Sequence, residues 1–408
     1  MKINNKIISN FSYMFIIEMA NYILPFLVIP YIVRIVGVEK YGIITFSYVI
    51  IAYFNLIVDY GFKLIIIKDI SRFRNSPKKL SFLFWKMYIS QGFLLLLSLI
   101  IFFIVINNFP MLESNREIFI YTFLIVIGNF LFPIWFFQGI EKMKYLAIFD
   151  FLARLLYVSS VFIFIKQKSD FLYVPLLNGC SFILIGIISL IMIYKKHNLL
   201  FLFPNINQLK KFFKEGWHLF VSSLSVNLYS KFNILLLGIM SGYQSVGIYS
   251  LAEKVFGAVM KVIGILNVVF FPHLSAIKNK LKLREEIQKL IIKYLIIVLP
   301  ISFSLFIIST FLITLLFGEN NQNSIFILKI MSFILIFAPF GQLFTNYLII
   351  KKQNQIVTKI TLLTMFFNMI IVFPMIYFFN EIGLAISILI VQIFQVILNV
   401  YYNKEIFK

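Results

Sequence analysis

Residues 11–68 read FSYMFIIEMANYILPFLVIPYIVRIVGVEKYGIITFSYVIIAYFNLIVDYGFKLIIIK, two long apolar runs joined by a short turn. The first run, 11–33, is long enough at about 1.5 Å per residue to cross a hydrocarbon core of roughly 30 Å. It nevertheless contains Glu18, Pro25 and Pro30. An acid is costly in lipid and each proline frees a backbone carbonyl, so both features need protein neighbours or water. The stretch therefore predicts a pair of membrane-spanning helices with an inward-facing charged side.

The composition of the whole chain is that of a membrane protein. Of its 408 residues, 61% are hydrophobic and 13% are charged, and the mean hydropathy is +0.96. The net charge of +21 would suit nucleic acid, but basic residues scattered between long apolar runs indicate membrane orientation instead, so we expect no nucleic-acid partner. Cys180 is the single cysteine, which excludes a disulfide framework and a cysteine metal site.

Apolar runs bounded by charged or turn residues predict twelve transmembrane helices, and hence an all-α integral membrane protein. The connections are mostly short, so we expect no soluble domain between the spans. The predicted spans are 11–33, 41–62, 82–106, 118–140, 145–165, 171–194, 216–240, 245–271, 291–317, 324–350, 357–379 and 382–402.

The distribution of positive charge predicts the orientation of these spans. If both termini are cytoplasmic, 27 of the 37 basic residues lie in cytoplasmic segments and five lie in the opposite loops. An excess of Lys and Arg marks the cytoplasmic side of membrane proteins. We therefore predict that both termini are cytoplasmic.

The longest cytoplasmic connection lies midway along the chain, at 195–215, and suggests two halves. Its Phe212 and Phe213 stand among lysines, a pattern typical of a short amphipathic helix on a membrane surface. We predict that this linker joins an N-terminal six-helix bundle, 1–194, to a C-terminal six-helix bundle, 216–408.

The sequence contains no constellation typical of an enzyme. His197, His218 and His273 lack metal-ligand spacing, and no glycine loop of the Walker type is present. We expect no enzymatic activity, no metal site and no cofactor. An ion gradient or the gradient of the substrate is then the remaining source of energy.

Basic residues inside the predicted spans are the most informative, because each is costly in hydrocarbon unless it is paired or hydrated. Lys231 has no acid within one turn, and Lys254 and Lys261 share a helix face with Glu253 as the nearby acid. These three lysines predict a net positive chamber that binds an anion at mid-depth, with Glu253 balancing charge. The alternative is that they snorkel to the interface or pair over a longer range.

The remaining charges within the spans have two interpretations each. Asp150 and Arg154 are four residues apart on one helix face, so they either neutralise one another or contribute to the site, Arg154 as a substrate contact and Asp150 in charge balance. Glu18 and Asp59 are the acids that can bind a proton or cation, or balance basic neighbours. Asp59 can also pair with Lys63 at the interface.

Several segments resemble motifs of the bacterial O-antigen flippases of the Wzx type. The matching segments are NYILP at 21–25, VDYGF at 58–62, PIWFFQG at 133–139 and GIYS at 247–250. The likeness covers nearly the whole chain. It is specific for the family and carries no information about the sugar.

The resemblance implies membership of the multidrug, oligosaccharidyl-lipid and polysaccharide exporter superfamily, with two six-helix bundles around a central cationic cavity. In relatives the first, second, seventh and eighth spans line that cavity, which adds Arg34 to the candidate substrate contacts. The implied activity is the movement of O-antigen oligosaccharides on undecaprenyl pyrophosphate from the cytoplasmic to the periplasmic leaflet of the bacterial inner membrane, by alternating access. The implied partners are this lipid-linked oligosaccharide, membrane lipid, and the O-antigen polymerase and chain-length regulator.

Two alternatives stay open from the sequence. A cation-coupled multidrug exporter of the same fold would favour an acidic cavity, whereas the predicted cavity is basic. O-antigen polymerases and ligases have a large periplasmic loop. The longest periplasmic connection predicted here is only 107–117.

Overall fold

The computed structural model describes residues 24, 26–277, 279–318 and 321–406, without the side chains of residues 225–230, 265–266, 268–269, 280 and 405. Within these ranges the chain forms helices joined by turns, and no β-strand. Most of the first predicted span, including Glu18 and Pro25, lies outside the described residues.

The described helices follow one another with short connections. In chain order they are α1 Phe26–Val36, α2 Val38–Asp59, α3 Phe62–Phe73, α4 Pro77–Asn108, α5 Pro110–Glu113, α6 Arg116–Leu131, α7 Ile134–Gly139, α8 Met143–Phe164, α9 Tyr173–His197, α10 Ile206–Ser275, α11 Lys280–Phe317, α12 Gln322–Ile350 and α13 Asn354–Tyr402. Short 3₁₀ helices cover Lys168–Leu172 and Lys404–Ile406.

Two of the long helices are each interrupted once by non-helical backbone. The interruptions are at Gly242 in α10 and at Asn380 in α13, which fall in the predicted turns between neighbouring spans. In the part of the chain that the structure describes, nine helical stretches are long and apolar enough to cross a membrane, and α1 is a shorter apolar helix. The number of twelve spans stays a prediction.

The chain divides into two compact units, and the division falls between Leu235 and Leu236. The linker predicted at 195–215 is helical from Ile206 onward, where it forms the start of α10. This first part of α10 belongs to the first unit. The two six-helix bundles and their boundaries at 194 and 216 stay predictions.

Glycines bring α6 and α9 close together in the first unit. A Cβ on Gly128 of α6 would lie 2.7 Å from the Cβ of Phe182, and a Cβ on Gly179 of α9 would lie 2.5 Å from the Cβ of Leu124. Glycine at these positions lets the two backbones approach closely, which is how membrane helices gain van der Waals contact without a hydrophobic driving force. We call this contact the α6–α9 seam.

Polar side chains also hold α6 against α2. The Thr122 hydroxyl donates to the Ser47 hydroxyl at 2.9 Å, and the Asn129 side-chain amide donates to the carbonyl oxygen of the Asn55 side chain at 3.0 Å. Hydrogen bonds between spanning helices typically contribute about 1 kcal/mol each. They also satisfy polar groups that hydrocarbon cannot solvate.

In the second unit, α12 packs between α11 and α13. The Ser302 hydroxyl donates to the carbonyl oxygen of Ser332 at 2.6 Å, which ties α11 to α12, and the Ser324 hydroxyl donates to the carbonyl oxygen of Ile248 at 2.8 Å, which ties α12 to α10. Large apolar side chains cover the outside of both units. Examples that are more than 60% exposed are Leu96, Phe303, Phe311, Ile370 and Phe378. This is the surface expected of a protein surrounded by lipid.

The turn between α2 and α3 anchors the start of α10. Tyr60 and Gly61 both adopt left-handed backbone, with φ of 44° and 73°, so the chain reverses in two residues. The ring of Tyr60 stacks on Phe220 with centroids 4.8 Å apart, and the ring of Phe62 stacks on Phe212 at 4.3 Å. The VDYGF motif thus joins α2, α3 and α10 in one aromatic cluster.

Substitution of Gly61 should weaken this junction. A Cβ at this position would lie 2.5 Å from the Cβ of Leu219 on α10, so Gly61→Ala is expected to destabilise the protein by about 2 kcal/mol through backbone strain and displacement of α10. Thermal unfolding of the purified protein in detergent micelles measures the loss. Gly257→Ala is the control, because a Cβ there meets no atom within 4 Å and alanine favours the helix.

Gly61→Asn separates the two causes, since asparagine tolerates left-handed backbone but still carries a Cβ. We expect it to be nearly as unstable as Gly61→Ala. Wild-type stability in Gly61→Asn would contradict the role of the Leu219 contact.

Candidate functional site

The structure describes three of the predicted site residues individually. Arg34 is exposed near the end of α1, Lys231 is half-buried in the part of α10 that belongs to the first unit, and Glu253 is half-buried in α10 beside Lys254. Glu18 lies outside the described residues. The central cavity that these residues are predicted to line stays a prediction.

Asp59 has a basic partner at the end of α2. The Lys63 ammonium donates to the Asp59 carboxylate at 2.7 Å, and the two side chains are 36% and 37% exposed. This is the pairing that the sequence left open as the alternative to ion coupling. A half-exposed pair of this kind contributes little to stability, and the coupling role of Asp59 stays a prediction.

Asp150 and Arg154 form a two-pronged ion pair on α8. The Arg154 Nε donates to Asp150 Oδ2 at 2.8 Å and its Nη2 donates to Oδ1 at 3.2 Å. The Asp150 side chain is 7% exposed, and the guanidinium lies 5.7 Å from the centroid of the Phe182 ring. Both charges are therefore compensated inside a helix that is apolar enough to span a membrane.

Lys254 and Lys261, the two predicted site lysines of the second unit, lie on a face of α10 that is poor in large side chains. Lys254, Ala258 and Lys261 are exposed. Between and after them, Gly257 and Gly264 have no neighbouring atom within 4 Å of a Cβ placed on them. We call these five residues the lysine strip. No salt bridge involves Lys254 in the part of the chain that the structure describes.

The first unit contains a cavity of about 630 Å³ between α3, α4 and the start of α10. Its lining includes Lys68, Lys86 and Lys211 together with Asp69 and Glu215. Three lysines and two acids line this cavity, so most of its positive charge is balanced by nearby carboxylates.

The second unit contains a cavity of about 790 Å³ between α10, α12 and α13. Its polar lining consists of carboxamide side chains: Asn267, Gln342, Asn346, Gln392 and Gln395. We call it the carboxamide cavity. These residues are not among the predicted site residues, because neutral carboxamides lack the high cost in hydrocarbon that marks the ionisable groups within the spans. Their signal was pairs of carboxamides three or four residues apart inside apolar runs.

Comparison with known proteins identifies the family. The model of the family described as "Polysaccharide biosynthesis protein" matches residues 7–278. A protein of Escherichia coli (strain K12), provisionally named an O-antigen transporter, is 27% identical over 385 residues, which cover 93% of this chain and 92% of that protein. The capsular polysaccharide biosynthesis protein CapF of Staphylococcus aureus is 25% identical over 410 residues, which cover 98% and 100% of the two chains.

Solved structures share the fold at low sequence identity. An inward-facing multidrug resistance MATE family transporter of the MOP superfamily superposes with a TM-score of 0.67 at 14% identity, and the match covers 94% of this chain and 95% of the transporter. The lipid II flippase MurJ, in an inward closed conformation, gives a TM-score of 0.67 at 15% identity and covers 97% and 87%. These likenesses confirm the predicted all-α, multi-pass membrane fold.

The family match confirms the resemblance drawn from the motifs of the sequence. The chain belongs to the polysaccharide biosynthesis protein family and has the fold of the MOP-superfamily transporters.

Proposed function

We propose that this protein is a flippase that carries oligosaccharides linked to undecaprenyl pyrophosphate from the cytoplasmic to the periplasmic leaflet of the bacterial inner membrane. Its relatives in the curated comparison carry the names of an O-antigen transporter and a capsular polysaccharide biosynthesis protein. A structural neighbour is named a lipid II flippase. In this proposal the protein binds and reorients its substrate without chemical change.

The lysine strip of α10 is the observation that carries the proposal. The lipid-facing surface of this protein is built from bulky apolar side chains such as Phe303 and Phe311. The strip instead presents glycine, alanine and two exposed lysines, with the exposed Val262 beside them. Such a face buries little apolar surface against acyl chains, and placing its charged groups in lipid costs free energy. Water, in contrast, solvates it well. We infer that the strip faces a hydrated chamber.

An anionic headgroup is the substrate feature that such a strip would recognise. Lys254 and Lys261 are seven residues apart on one side of the helix, so their ammonium groups can contact one extended anion together. A pyrophosphate has this form. Lysine is a mobile point charge, which suits a site that must release as well as bind phosphate oxygens. Arg34 and Lys231 are proposed as further anion contacts, with Glu18, Asp59 and Glu253 in ion coupling or charge balance.

The polyprenyl tail of the substrate determines how the proposed transport cycle can work. The polyprenyl tail is as apolar as lipid and can stay in the bilayer while the headgroup crosses the chamber. Alternating access, in which the chamber opens to one leaflet at a time, would move the headgroup without exposing it to hydrocarbon. The proposed direction, from the cytoplasmic to the periplasmic leaflet, is the one that the resemblance to the O-antigen flippases implies.

Removal of charge from the lysine strip should reduce transport. In a strain that lacks its own flippase, we expect Lys254→Gln and Lys261→Gln each to lower surface polysaccharide about tenfold, because each variant loses a charge-assisted contact to the headgroup. The double variant should be more impaired still, with lipid-linked oligosaccharide accumulating in the cytoplasmic leaflet.

Lys329→Gln is the matched control for these variants. Lys329 also lies in a spanning helix, but its ammonium lies 5.5 Å from the centroid of the Phe306 ring, outside the strip. Protein levels are measured by immunoblot in every strain. A wild-type amount of surface polysaccharide in the Lys254→Gln/Lys261→Gln double variant, at normal protein level, would contradict the proposed function.

The Asp150–Arg154 pair gives a separate prediction about charge balance. Asp150→Asn leaves the guanidinium inside α8 without its carboxylate, so we expect a loss of stability on the order of 3 kcal/mol in micelles. The double variant Asp150→Leu/Arg154→Met removes both charges and should recover most of the thermal stability. If the stable double variant no longer transports, Arg154 contacts substrate; if it transports normally, the pair serves charge balance alone.

A further inference from the structure

Among the described residues, the hydrogen bonds of the five carboxamides leave part of their bonding capacity unused. Within its lining, the side-chain amide of Gln342 donates to the Asn346 side chain at 3.1 Å, and that of Gln392 donates to Gln395 at 3.3 Å. The hydroxyl of Tyr294 donates to the Asn267 side chain at 3.0 Å. Each carboxamide has two N–H donors and an oxygen with two lone pairs, so these bonds use less than half of what the five groups offer.

The remaining donors and acceptors are available to a polar ligand. Asn346 is buried, Gln342 is exposed, and Asn267, Gln392 and Gln395 are half-buried, so a molecule in the cavity can reach their side chains. None of the described residues that line the cavity is ionisable. A charged ligand would find no counter-charge there. The lining therefore fits a ligand that is polar, neutral and rich in both donors and acceptors.

The cavity also offers an apolar wall and enough room for such a ligand. Phe271 and Met260 contribute apolar surface beside the carboxamides. A pyranose ring has hydroxyls around its edge and C–H groups on its faces, which pair with carboxamides and apolar side chains respectively. The volume of about 790 Å³ lies within the range of small-molecule sites, roughly 300–1,000 Å³.

The position of the cavity links it to the lysine strip. Gly264 belongs to both, and Met260 and Ile263, which flank Lys261 in the sequence within one turn, line the cavity. Lys261 therefore lies on the same helical turn as residues that line a neutral polar site. In a lipid-linked oligosaccharide the first sugar is bonded directly to the pyrophosphate.

We propose that the carboxamide cavity binds neutral sugar units next to the pyrophosphate of the carried oligosaccharide. This proposal rests on the proposed function and adds a second recognition element to it. The lysine strip would recognise the headgroup that all substrates share, and the carboxamide cavity would recognise the glycan.

Two lipid probes separate the two elements. The full-length protein in nanodiscs is tested for binding of sugar-free undecaprenyl pyrophosphate and of undecaprenyl pyrophosphate that carries a neutral trisaccharide. We expect the trisaccharide to raise affinity in the wild type. The double variant Gln342→Met/Gln395→Met keeps side-chain size but loses hydrogen bonds, and it should bind the trisaccharide lipid about tenfold more weakly. Its affinity for the sugar-free lipid should not change.

Gln322→Met is the matched control, because Gln322 is an exposed carboxamide on α12 that does not line the cavity. Lys254→Gln should weaken binding of both lipids alike. Equal loss of both lipids in the glutamine double variant, or no gain from the trisaccharide in the wild type, would overturn the sugar site and leave the flippase proposal standing. Failure of the wild type to bind either lipid would overturn both.

A second measurement keeps all five carboxamides in place. Ala338 lines the cavity, so Ala338→Cys in a Cys180→Ala background gives a single thiol there. The trisaccharide lipid should slow its alkylation by a maleimide several-fold, while the sugar-free lipid should not. A thiol at Gln322, introduced as Gln322→Cys, should react at one rate with either lipid. Equal alkylation of Ala338→Cys with both lipids would count against the sugar site even if the methionine variants proved unstable.

Discussion

Hydrocarbon cannot solvate charge, so an ionisable side chain in a spanning helix needs a counter-charge or water. This constraint distinguishes two kinds of charged residue in the spanning helices. Asp150 and Arg154 neutralise one another within α8, and Asp59 is held by Lys63 at the end of α2. Lys254 has no such partner among the described residues, and it stands on a face of glycine and alanine. The proposed transport path follows from this second group.

The same constraint applies to neutral polar groups, at smaller cost per group. Ser47, Thr122, Asn55 and Asn129 satisfy one another between α2 and α6, where they hold helices together. The carboxamides of the second unit are arranged differently, because they line an open space of about 790 Å³ and only partly bond to each other. Polar groups that close on themselves stabilise a fold, whereas polar groups that surround a space can receive a ligand.

Local patterns in the sequence predict those features that depend on residues close together along the chain. The spacing of Asp150 and Arg154 predicts their ion pair, and the turn residues near Gly242 and Asn380 predict the breaks in α10 and α13. Apolar runs predict the helices themselves, since a span needs a length that only a helix satisfies internally.

Features made by distant segments could not be predicted in this way. The start of α10 joins the first unit because Phe212 and Phe220 meet the turn at Tyr60, more than 150 residues earlier in the chain. The carboxamide cavity draws its lining from three helices, so the carboxamide pairs along the chain do not show that they surround one space. Both depend on tertiary packing, which periodicity does not report.

The α6–α9 seam has a consequence for how the first unit can deform. A Cβ on Gly128 or Gly179 would lie less than 3.0 Å from a Cβ of the other helix. Sliding one helix along the other would bring a larger residue into a gap that only glycine fits. We therefore expect α6 and α9 to move together as one rigid pair. The backbone leaves helical geometry just beyond it, at Phe132 and Pro133 between α6 and α7. Flexing of the first unit would thus be concentrated at this joint, which the PIWFFQG motif begins.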